Sequence, residues 1–405
     1  MTLARVGILG AGTMGRGIAQ VAALGGYETR LYDAYPEAVE QGSIELAKAL
    51  AKGVFRGRWS DDEAAAAVDR VEPVAALAEL ADCELLIEAA PEEVELKRQL
   101  FSDAAAVCGP ETVLATNTSS LRVAEIAAGV PGPERVIGMH FFNPPALMKL
   151  VEVVATEESS EAALAAATEA ALAMGRTPIR AKDSPGFVAN RLSRPFALES
   201  LRMLSDGVAA AETIDRIVRL GGGFRMGPFE LIDLIGLDVN LTIARSFFTQ
   251  GGEPARWRPS AIQERLVEEG KLGRKSGQGY YAYGDGIERE VDPELGILAP
   301  TLDPAKLALV DPAAGAVLSR LFAQIANEAA FALEEEIASP EDMDTAMQLG
   351  FNWPLGPLGL TKKIGTRRAV ELLVELEREE GAAYAQAPLL RRAAEQDVEL
   401  VEAKQ

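Results

Sequence analysis

One glycine-rich hexapeptide near the start of the chain limits its fold more than any other feature. Residues 5–9 have the pattern of a short buried strand and lead into Gly10-Ala11-Gly12-Thr13-Met14-Gly15. A helical pattern follows to about residue 24, and a second strand pattern ends in Asp33. A glycine turn alone is common, but a strand, a GxGxxG turn, a helix and a terminal acid in this order are typical of a dinucleotide-binding βαβ unit.

The physical role of each position supports this prediction. Gly10 permits the tight turn, Gly12 lets the backbone approach a pyrophosphate, and Gly15 lets helix and strand pack closely. The helix N-terminus attracts phosphates, and Asp33 should accept hydrogen bonds from ribose hydroxyls while repelling a 2′-phosphate, which favours NAD over NADP. The alternative is a structural glycine turn in another α/β fold. The predicted cofactor-binding residues are Gly10, Gly12, Thr13, Met14, Gly15 and Asp33.

Three further strand patterns, at residues 83–90, 112–116 and 135–139, are each followed by a polar side chain. These side chains are Glu92, Ser119 and His140. In open parallel sheets, ligands bind at the carboxyl ends of the strands. We therefore expect all three side chains to face the cofactor crevice.

His140 is the only histidine of the 405 residues, and it lies in the sequence GMHFFNPP. Another strand pattern, residues 149–154, contains Glu152. A carboxylate beside an imidazole fixes its tautomer and stabilises the imidazolium, which is the arrangement expected of a general base or acid. The alternative is a histidine with no chemical task. One histidine without clustered cysteines makes a poor ligand set, so no metal is expected.

Composition excludes several kinds of partner. The net charge of −21 disfavours nonspecific binding to nucleic acid or to an anionic membrane surface. The two cysteines, Cys83 and Cys108, have no metal-type spacing and fit a reducing compartment. Glycines interrupt the apolar N-terminus and no long apolar run follows, so neither a signal peptide nor a membrane span is expected. The sequence predicts a cytoplasmic protein.

Taken together, the motifs resemble the L-3-hydroxyacyl-CoA dehydrogenase family, which includes the 3-hydroxybutyryl-CoA dehydrogenases. The resemblance runs from residue 3 to about residue 283, with the motifs in the family's order. It implies NAD-dependent interconversion of (3S)-3-hydroxyacyl-CoA and 3-oxoacyl-CoA, a reaction of fatty acid metabolism and β-oxidation. The matching stretches are VGILGAGTMGRGIAQ, NTSSL, GMHFFNPP, MKLVEVV, DSPGFVANRL, MGPFELIDLIGLD and LGRKSGQGYY.

The resemblance also implies roles for single residues. His140 would take the 3-hydroxyl proton while a hydride leaves C3 for NAD, and Glu152 would orient it. Ser119 would contact the substrate oxygen and the cofactor, whereas Asn190 would steady the catalytic group and polarise the thioester region. Further family positions near NAD are Glu92, Lys97, Asn143 and Lys275. The alternatives are a solvated helix surface for Lys97, a shaping role in the proline turn for Asn143, and an exposed loop for Lys275.

An acyl-CoA substrate needs local positive charge in this acidic chain. The best candidates are Lys52 and Arg56, which lie with Lys48 and Arg58 in a helical segment. The alternative is a solvated helix face. The absence of a clear CoA site would favour the alternative of a dehydrogenase of a free hydroxy acid or sugar acid, such as the L-gulonate dehydrogenases. A rival of another class is a non-catalytic NAD(H)-binding structural protein.

The C-terminal half contains an internal repeat with one offset of 129 residues. In the second copy, the position of Asn190 is Ser319 and that of Pro185 is Ala314, so we expect this copy to be structural. It would pack on the first copy as an intrachain pseudo-dimer, which leaves a further homo-oligomer open. The recurring pairs are Ile214-Asp215 with Met343-Asp344, Met226-Gly227-Pro228 with Leu355-Gly356-Pro357, and Leu234-Ile235-Gly236 with Lys363-Ile364-Gly365.

The expected fold class is therefore α/β, with a Rossmann-type doubly wound sheet followed by two all-helical domains related by duplication. The NAD-binding domain would cover residues 1–184 and the first helical domain residues 185–290. Residues 291–405 would form the rest of a linker and the degenerate second copy. The linker pattern, rich in Asp, Pro and Gly, runs from residue 284 to about residue 312.

Overall fold

The computed structural model describes residues 3–283 and 313–404. It divides into two compact units, Met1–Phe187 and Val188–Gln405. The first division of the chain predicted from sequence, after residue 184, falls close to this boundary. The predicted linker, residues 284–312, lies outside the described residues.

The first unit is built on an eight-stranded sheet with the strand order β3-β2-β1-β4-β5-β6-β7-β8. Neighbouring strands are parallel except β6 and β7, which pair antiparallel. The predicted Rossmann-type, doubly wound sheet is confirmed. The strands are β1 Arg5–Leu9, β2 Glu28–Tyr32, β3 Val71–Val74, β4 Leu85–Glu88, β5 Val113–Thr116, β6 Val136–Phe141, β7 Leu150–Ala155 and β8 Thr177–Lys182.

Helices follow the strands in the doubly wound pattern, and the central strands β4, β5 and β6 are buried along their whole length. Such strands have near-continuous apolar sequences because both faces of the sheet are covered. The helices are α1 Thr13–Leu24, α2 Pro36–Phe55, α3 Asp61–Asp69, α4 Val94–Val107, α5 Val123–Ala127 and α6 Glu161–Ala173, with 3-10 turns at Leu77–Leu80 and Pro133–Arg135.

The sheet differs from the sequence prediction in two respects. His140 lies inside β6 rather than after it, because the antiparallel pairing with β7 extends the strand to Phe141. Strands β3 and β8 were not predicted. Both lie at an edge of the sheet and contain a proline, Pro73 or Pro178, which weakens the strand pattern in the sequence.

The second unit is helical. The amphipathic run at residues 190–205 forms two helices, α7 and α8, which are divided at Ser193 because α8 has a proline in its first turn. The helices are α7 Ala189–Leu192, α8 Arg194–Ser205, α9 Ala211–Leu220, α10 Pro228–Ile235, α11 Leu237–Gln250, α12 Ala261–Glu268, α13 Ala314–Glu334, α14 Pro340–Gly350, α15 Pro357–Ile364, α16 Thr366–Glu380, α17 Pro388–Gln396 and α18 Leu400–Lys404, with 3-10 turns at Ala255–Trp257, Arg274–Ser276 and Ala382–Tyr384.

Two aspartates related by the 129-residue offset stabilise equivalent helices. Asp215 accepts hydrogen bonds at 2.9 Å from the backbone N–H groups of the second and third residues of α10. Asp344 accepts them from the same two positions of α15, at 2.8 and 3.3 Å. In both cases the carboxylate satisfies N–H groups that lack a partner within the helix.

The two helical segments also contact each other reciprocally, through buried arginines at equivalent positions. Each arginine binds one carboxylate within the opposite helix and a second near the end of that helix, and every partner is shifted by the same offset. A contact in which residue i meets j and j meets i is typical of a two-fold interface. The pairs are Arg191 with Glu328 and Glu335, and Arg320 with Glu199 and Asp206.

None of the helices in the described residues is long and apolar enough to cross a membrane. No group of three His, Cys, Asp or Glu side chains in residues 3–283 and 313–404 could hold a metal ion. Cys83 and Cys108 are both buried free thiols, and burial raises the pKa of each.

Candidate active site

The only histidine and its predicted partner form a buried pair. His140 on β6 lies directly opposite Glu152 on β7 in the antiparallel register, so both side chains point to the same face of the sheet. His140 Nδ1 lies 2.5 Å from Glu152 Oε2. His140 is 6% exposed and Glu152 is 0% exposed. Because Glu152 occupies Nδ1, Nε2 is the ring nitrogen left for a substrate.

Aromatic side chains surround this pair and a backbone contact fixes its strand. The ring centroid of His140 lies 4.6 Å from that of Phe142 and 5.8 Å from that of Phe187. The backbone N–H of Phe141 donates a 2.8 Å hydrogen bond to Asn117 Oδ1, which joins the ends of β6 and β5. The imidazole is therefore held in a largely apolar setting at the carboxyl end of the sheet.

Glu92 holds the loop that contains Ser119. Its Oε1 accepts hydrogen bonds from the Thr118 hydroxyl at 2.6 Å and from the N–H groups of Ser119 and Ser120 at 2.9 and 3.0 Å. Burial alone would raise the pKa of Glu92, but the Thr118 hydrogen bond and the charge of Lys97 outweigh it and lower the pKa. Glu92 is thus a charged anchor of the loop, and Ser119 itself remains exposed.

Lys97 is 1% exposed, so the alternative of a solvated helix surface is wrong. Its Nζ lies 2.7 Å from Glu88 Oε1, 3.2 Å from the carbonyl oxygen of Ala90 and 3.3 Å from Glu92 Oε2. Glu88 also accepts a 2.7 Å hydrogen bond from the Thr116 hydroxyl. Sequence reasoning missed Glu88, although an acid at the end of the apolar run LLIE was a visible signal.

The glycine loop has the geometry expected of it. Gly10 has φ of 106°, a conformation that L side chains avoid, and an added Cβ at Gly15 would lie 1.7 Å from the Gly10 carbonyl oxygen. Asp33 supports the loop, since its Oδ2 accepts a 2.9 Å hydrogen bond from the Ala11 N–H. Its Oδ1 accepts one at 3.1 Å from the Tyr35 N–H.

These features fit NAD. Helix α1 begins after Gly12, and within the described residues no side chain caps it and no acid lies in its first turn. Its first N–H groups are therefore suited to phosphate oxygens. An added Cβ at Gly12 would meet no described atom within 4 Å, so the loop is open on the side where a pyrophosphate would approach. Arg30, which would favour a 2′-phosphate, forms ion pairs with Asp82 and Glu72.

The proline turn after His140 lies against α1 and borders a basic cavity. An added Cβ at Gly17 would lie 2.9 Å from Pro145 Cδ, so helix and turn are in close contact. Asn143 is exposed at the start of this turn. The cavity has a volume of about 260 Å³ and is lined by Arg16, Lys52, Arg56, Arg58, Trp59 and Leu147, among others. The predicted basic residues thus line a concave surface.

Two predicted site residues lie in the second unit. Asn190 lies in α7, and its carbonyl oxygen accepts hydrogen bonds from the Ser193 hydroxyl and Arg194 Nε. Lys275 lies in the 3-10 turn Arg274–Ser276, with its Nζ 2.7 Å from Asp238 Oδ2, and this hydrogen bond lowers the pKa of Asp238. The roles of both residues in the reaction stay predictions.

A nucleotide-binding sheet with a buried His–Glu pair at its carboxyl end defines a class, the NAD-dependent oxidoreductases. The comparisons specify the family. The model of the 3-hydroxyacyl-CoA dehydrogenase NAD-binding domain matches residues 5–184, and that of the C-terminal domain matches residues 186–283 and 315–400. The chain belongs to the 3-hydroxyacyl-CoA dehydrogenase family.

Individual relatives agree with this assignment. The 3-hydroxyadipyl-CoA dehydrogenase of Escherichia coli K12 is 36% identical, over 96% of this chain and 97% of its own length. The 3-hydroxybutyryl-CoA dehydrogenase of Clostridioides difficile is 37% identical, over 69% of this chain and 99% of its own length. The crystal structure of a 3-hydroxybutyryl-CoA dehydrogenase from Escherichia coli K12 is similar with a TM-score of 0.87, 34% identity, and coverage of 98% of this chain and 99% of that one.

Proposed function

We propose that the chain catalyses the reversible oxidation of a (3S)-3-hydroxyacyl-CoA to the 3-oxoacyl-CoA with NAD, with His140 and Glu152 as its acid–base pair. The supporting observation is the buried contact of 2.5 Å between His140 Nδ1 and Glu152 Oε2. The names of the relatives support the substrate class, since they refer to 3-hydroxyadipyl-CoA and 3-hydroxybutyryl-CoA.

The chemistry of this pair suits a secondary alcohol. His140 Nε2 accepts the proton of the 3-hydroxyl group, and the Glu152 carboxylate stabilises the imidazolium that forms. NAD, held by the glycine loop and Asp33, would supply the acceptor for the hydride that leaves C3. Phe142 and Phe187 beside the imidazole limit the access of water and strengthen these electrostatic interactions. In the reverse direction the imidazolium returns its proton to the oxygen.

Two further residues are assigned to the substrate oxygens. The Ser119 hydroxyl donates to the oxygen on C3 as its charge changes, and the Asn190 side chain polarises the thioester region. Glu92 contributes by fixing the backbone on both sides of the Ser119 side chain. Lys97, Asn143 and Lys275 remain assigned to the surroundings of the cofactor.

The basic cavity beside the proline turn is proposed to bind the phosphates of CoA. Lys52 and Arg56 line it together with Arg16 and Arg58, and these four cations outnumber the one acid of the lining, Glu45, in a strongly acidic chain. Binding of a polyanion there should weaken with ionic strength, because Lys52, Arg56 and Arg58 are exposed.

The second helical segment is proposed to be a structural copy, so that residues 185–290 and 291–405 form an intrachain pseudo-dimer. Its support is the reciprocal set of ion pairs made by Arg191 and Arg320. The first 184 residues remain the proposed NAD-binding domain, and the cytoplasm remains the proposed location.

Substrate assays test the reaction. NADH oxidation is measured with a series of 3-oxoacyl-CoA thioesters and, in parallel, with the free 3-oxo acids. We expect turnover of the thioesters. Turnover of the free acids alone would reject the CoA substrate, and NADH binding without turnover of either series would favour the non-catalytic alternative.

Variants test the assigned residues. His140→Ala should lower kcat by about 10²- to 10⁴-fold, and Glu152→Gln should also lower it sharply, while NAD binding persists because neither residue belongs to the glycine loop. Asn190→Ala should lower kcat as well, and Ser319→Ala at the equivalent position is the matched control, expected to leave kcat unchanged. Near-normal turnover in His140→Ala would remove this residue from the mechanism.

A further inference from the structure

One buried arginine of the second unit has no acidic partner among the described residues. Arg194, the first residue of α8, is 6% exposed. Its Nε donates a 3.2 Å hydrogen bond to the carbonyl oxygen of Asn190, and its guanidinium lies 5.2 Å from the ring centroid of Phe247. Its Nη1 is buried without a hydrogen-bond partner in the part of the chain that the structure describes. Burial lowers the pKa of Arg194 to about 10.

A nearby arginine shows what a structural cation looks like in the same helices. Arg191, three residues earlier, is equally buried and binds both Glu328 and Glu335. Its equivalent in the second copy, Arg320, is retained with equivalent carboxylate partners. Arg194 differs on both counts, since its equivalent is the fully buried Ala323. The helical scaffold therefore does not require a cation at this position.

A buried cation without a counter-ion is costly, and a buried N–H donor without an acceptor adds to the cost. Such a group is stable when an anion from outside the chain supplies both charge and acceptor. Arg194 follows Asn190 by four residues, and residues at this spacing in a helical segment lie about 5–6 Å apart on one face. In the proposed function, Asn190 contacts the reacting end of the acyl group. An anion at Arg194 would then belong to the same acyl chain, a few bonds beyond C3.

We propose that Arg194 binds the terminal carboxylate of a dicarboxylic 3-hydroxyacyl-CoA, so that the acyl pocket prefers an anionic chain end over a methyl end. This inference rests on the proposed function. A guanidinium suits this ligand because it presents a planar pair of N–H donors to a carboxylate. Phe247 covers one face of the guanidinium and would exclude water from the ion pair.

The test compares two substrates of equal chain length, 3-hydroxyadipyl-CoA and 3-hydroxyhexanoyl-CoA, in the full-length protein. The wild type should show the higher kcat/KM with the adipyl thioester. Arg194→Met should lower kcat/KM for that substrate by about 10- to 100-fold and change it less than about threefold for the hexanoyl thioester. Arg194→Lys, which keeps the charge, should retain part of the preference. Arg265→Met, at an exposed arginine of α12, is the charge-matched control and should keep the wild-type ratio.

Several outcomes would overturn the inference. An equal loss with both thioesters in Arg194→Met would show that Arg194 only positions Asn190 through its carbonyl oxygen. A wild type that prefers the hexanoyl thioester would reject the carboxylate site without any variant, even if Arg194→Met did not fold. Failure of the proposed function is distinguishable, because the wild type would then turn over neither thioester.

Discussion

The two helical segments of the second unit share a skeleton but differ in their polar chemistry. Asp215 and Asp344 each bind the first turn of an equivalent eight-residue helix. Gly236 and Gly365, at the ends of these helices, have φ of 104° and 81°. These features set the helix ends and are independent of any reaction. Their retention shows which part of the fold both segments need.

The polar differences begin one turn from those shared features. Asp233 accepts hydrogen bonds from the backbone N–H groups of Tyr280 and Tyr281, at 2.9 and 3.0 Å, and so holds the segment that contains LGRKSGQGYY. Its equivalent in the second segment is Lys362, which pairs with Glu399. The second segment therefore lacks this anchor at the equivalent position.

The reciprocal arginines at the interface between the two segments are the same in both copies, whereas residues beside them in sequence differ between the copies. Arg191 and Arg320 are retained because each neutralises carboxylates of the other segment. Asn190 and Arg194, which lie beside Arg191 in sequence, are replaced by Ser319 and Ala323. Under the proposed function, the first segment carries residues assigned to ligands, whereas the second segment keeps the residues of the interface and lacks those assigned to ligands.

Removal of the second segment should have the largest effect on this arrangement. A chain that ends after residue 290 loses α13, which packs against α8, together with Trp353 and Phe322. The rings of these two residues lie 5.7 Å from Phe196 and 6.4 Å from Phe224, so apolar surface of the first segment should become exposed. We expect aggregation or dimerisation of this fragment, measured by light scattering and sedimentation. A fragment that stays monomeric and as resistant to urea as the full chain would contradict the intrachain pseudo-dimer.

Features that depend on local sequence patterns could be predicted from the sequence alone. The glycine loop, Asp33 at the end of β2 and the pairing of His140 with Glu152 follow from strand patterns and from the alternation of side chains along strands. The internal repeat could be detected because few residue types fit at helix starts and turns, so the same types recur at these positions in both copies.

Other features depend on contacts between segments distant in sequence. For Lys97 the alternative of a solvated surface stayed open, because helix periodicity does not show that Glu88 lies beneath it. The partners of Arg191 lie more than 130 residues away, so no local pattern reveals them. The missing partner of Arg194 could be recognised only when all neighbouring side chains were known.

Loss of either interface arginine should have the next largest effect. Arg191→Met leaves Glu328 buried with one cation fewer, and Arg320→Met does the same to Glu199. Each variant should lower the free energy of unfolding by about 3 kcal/mol, because removing one partner of a buried ion pair leaves the buried carboxylate with less compensating charge. Urea unfolding measures both.

The difference between the stability losses of the two variants tests the two-fold interface more directly than either loss alone. A two-fold interface predicts losses that agree within about 1 kcal/mol, since each carboxylate keeps one further arginine, Arg256 for Glu328 and Arg202 for Glu199. Arg378→Met, at an exposed position of α16, should change stability by less than about 0.5 kcal/mol. A large loss in only one interface variant would show that the reciprocal pairs are not equivalent.

The smallest expected effect distinguishes the two helix-binding aspartates. Asp215 accepts a further 2.7 Å hydrogen bond from the Tyr281 hydroxyl, so Asp215→Asn should cost about 1 kcal/mol more stability than Asp344→Asn at neutral pH.

The two variants should also differ in their pH dependence. Burial, only partly offset by two backbone hydrogen bonds, raises the pKa of Asp344. The folded state therefore binds the Asp344 proton more tightly than the unfolded state, and this contribution to stability is lost as pH rises from about 4 through the raised pKa. Because asparagine does not titrate, the cost of Asp344→Asn in urea unfolding should be larger at acid pH and should decrease toward neutral pH. A cost that is constant with pH, or larger than that of Asp215→Asn, would mean that the two carboxylates are held in the same way.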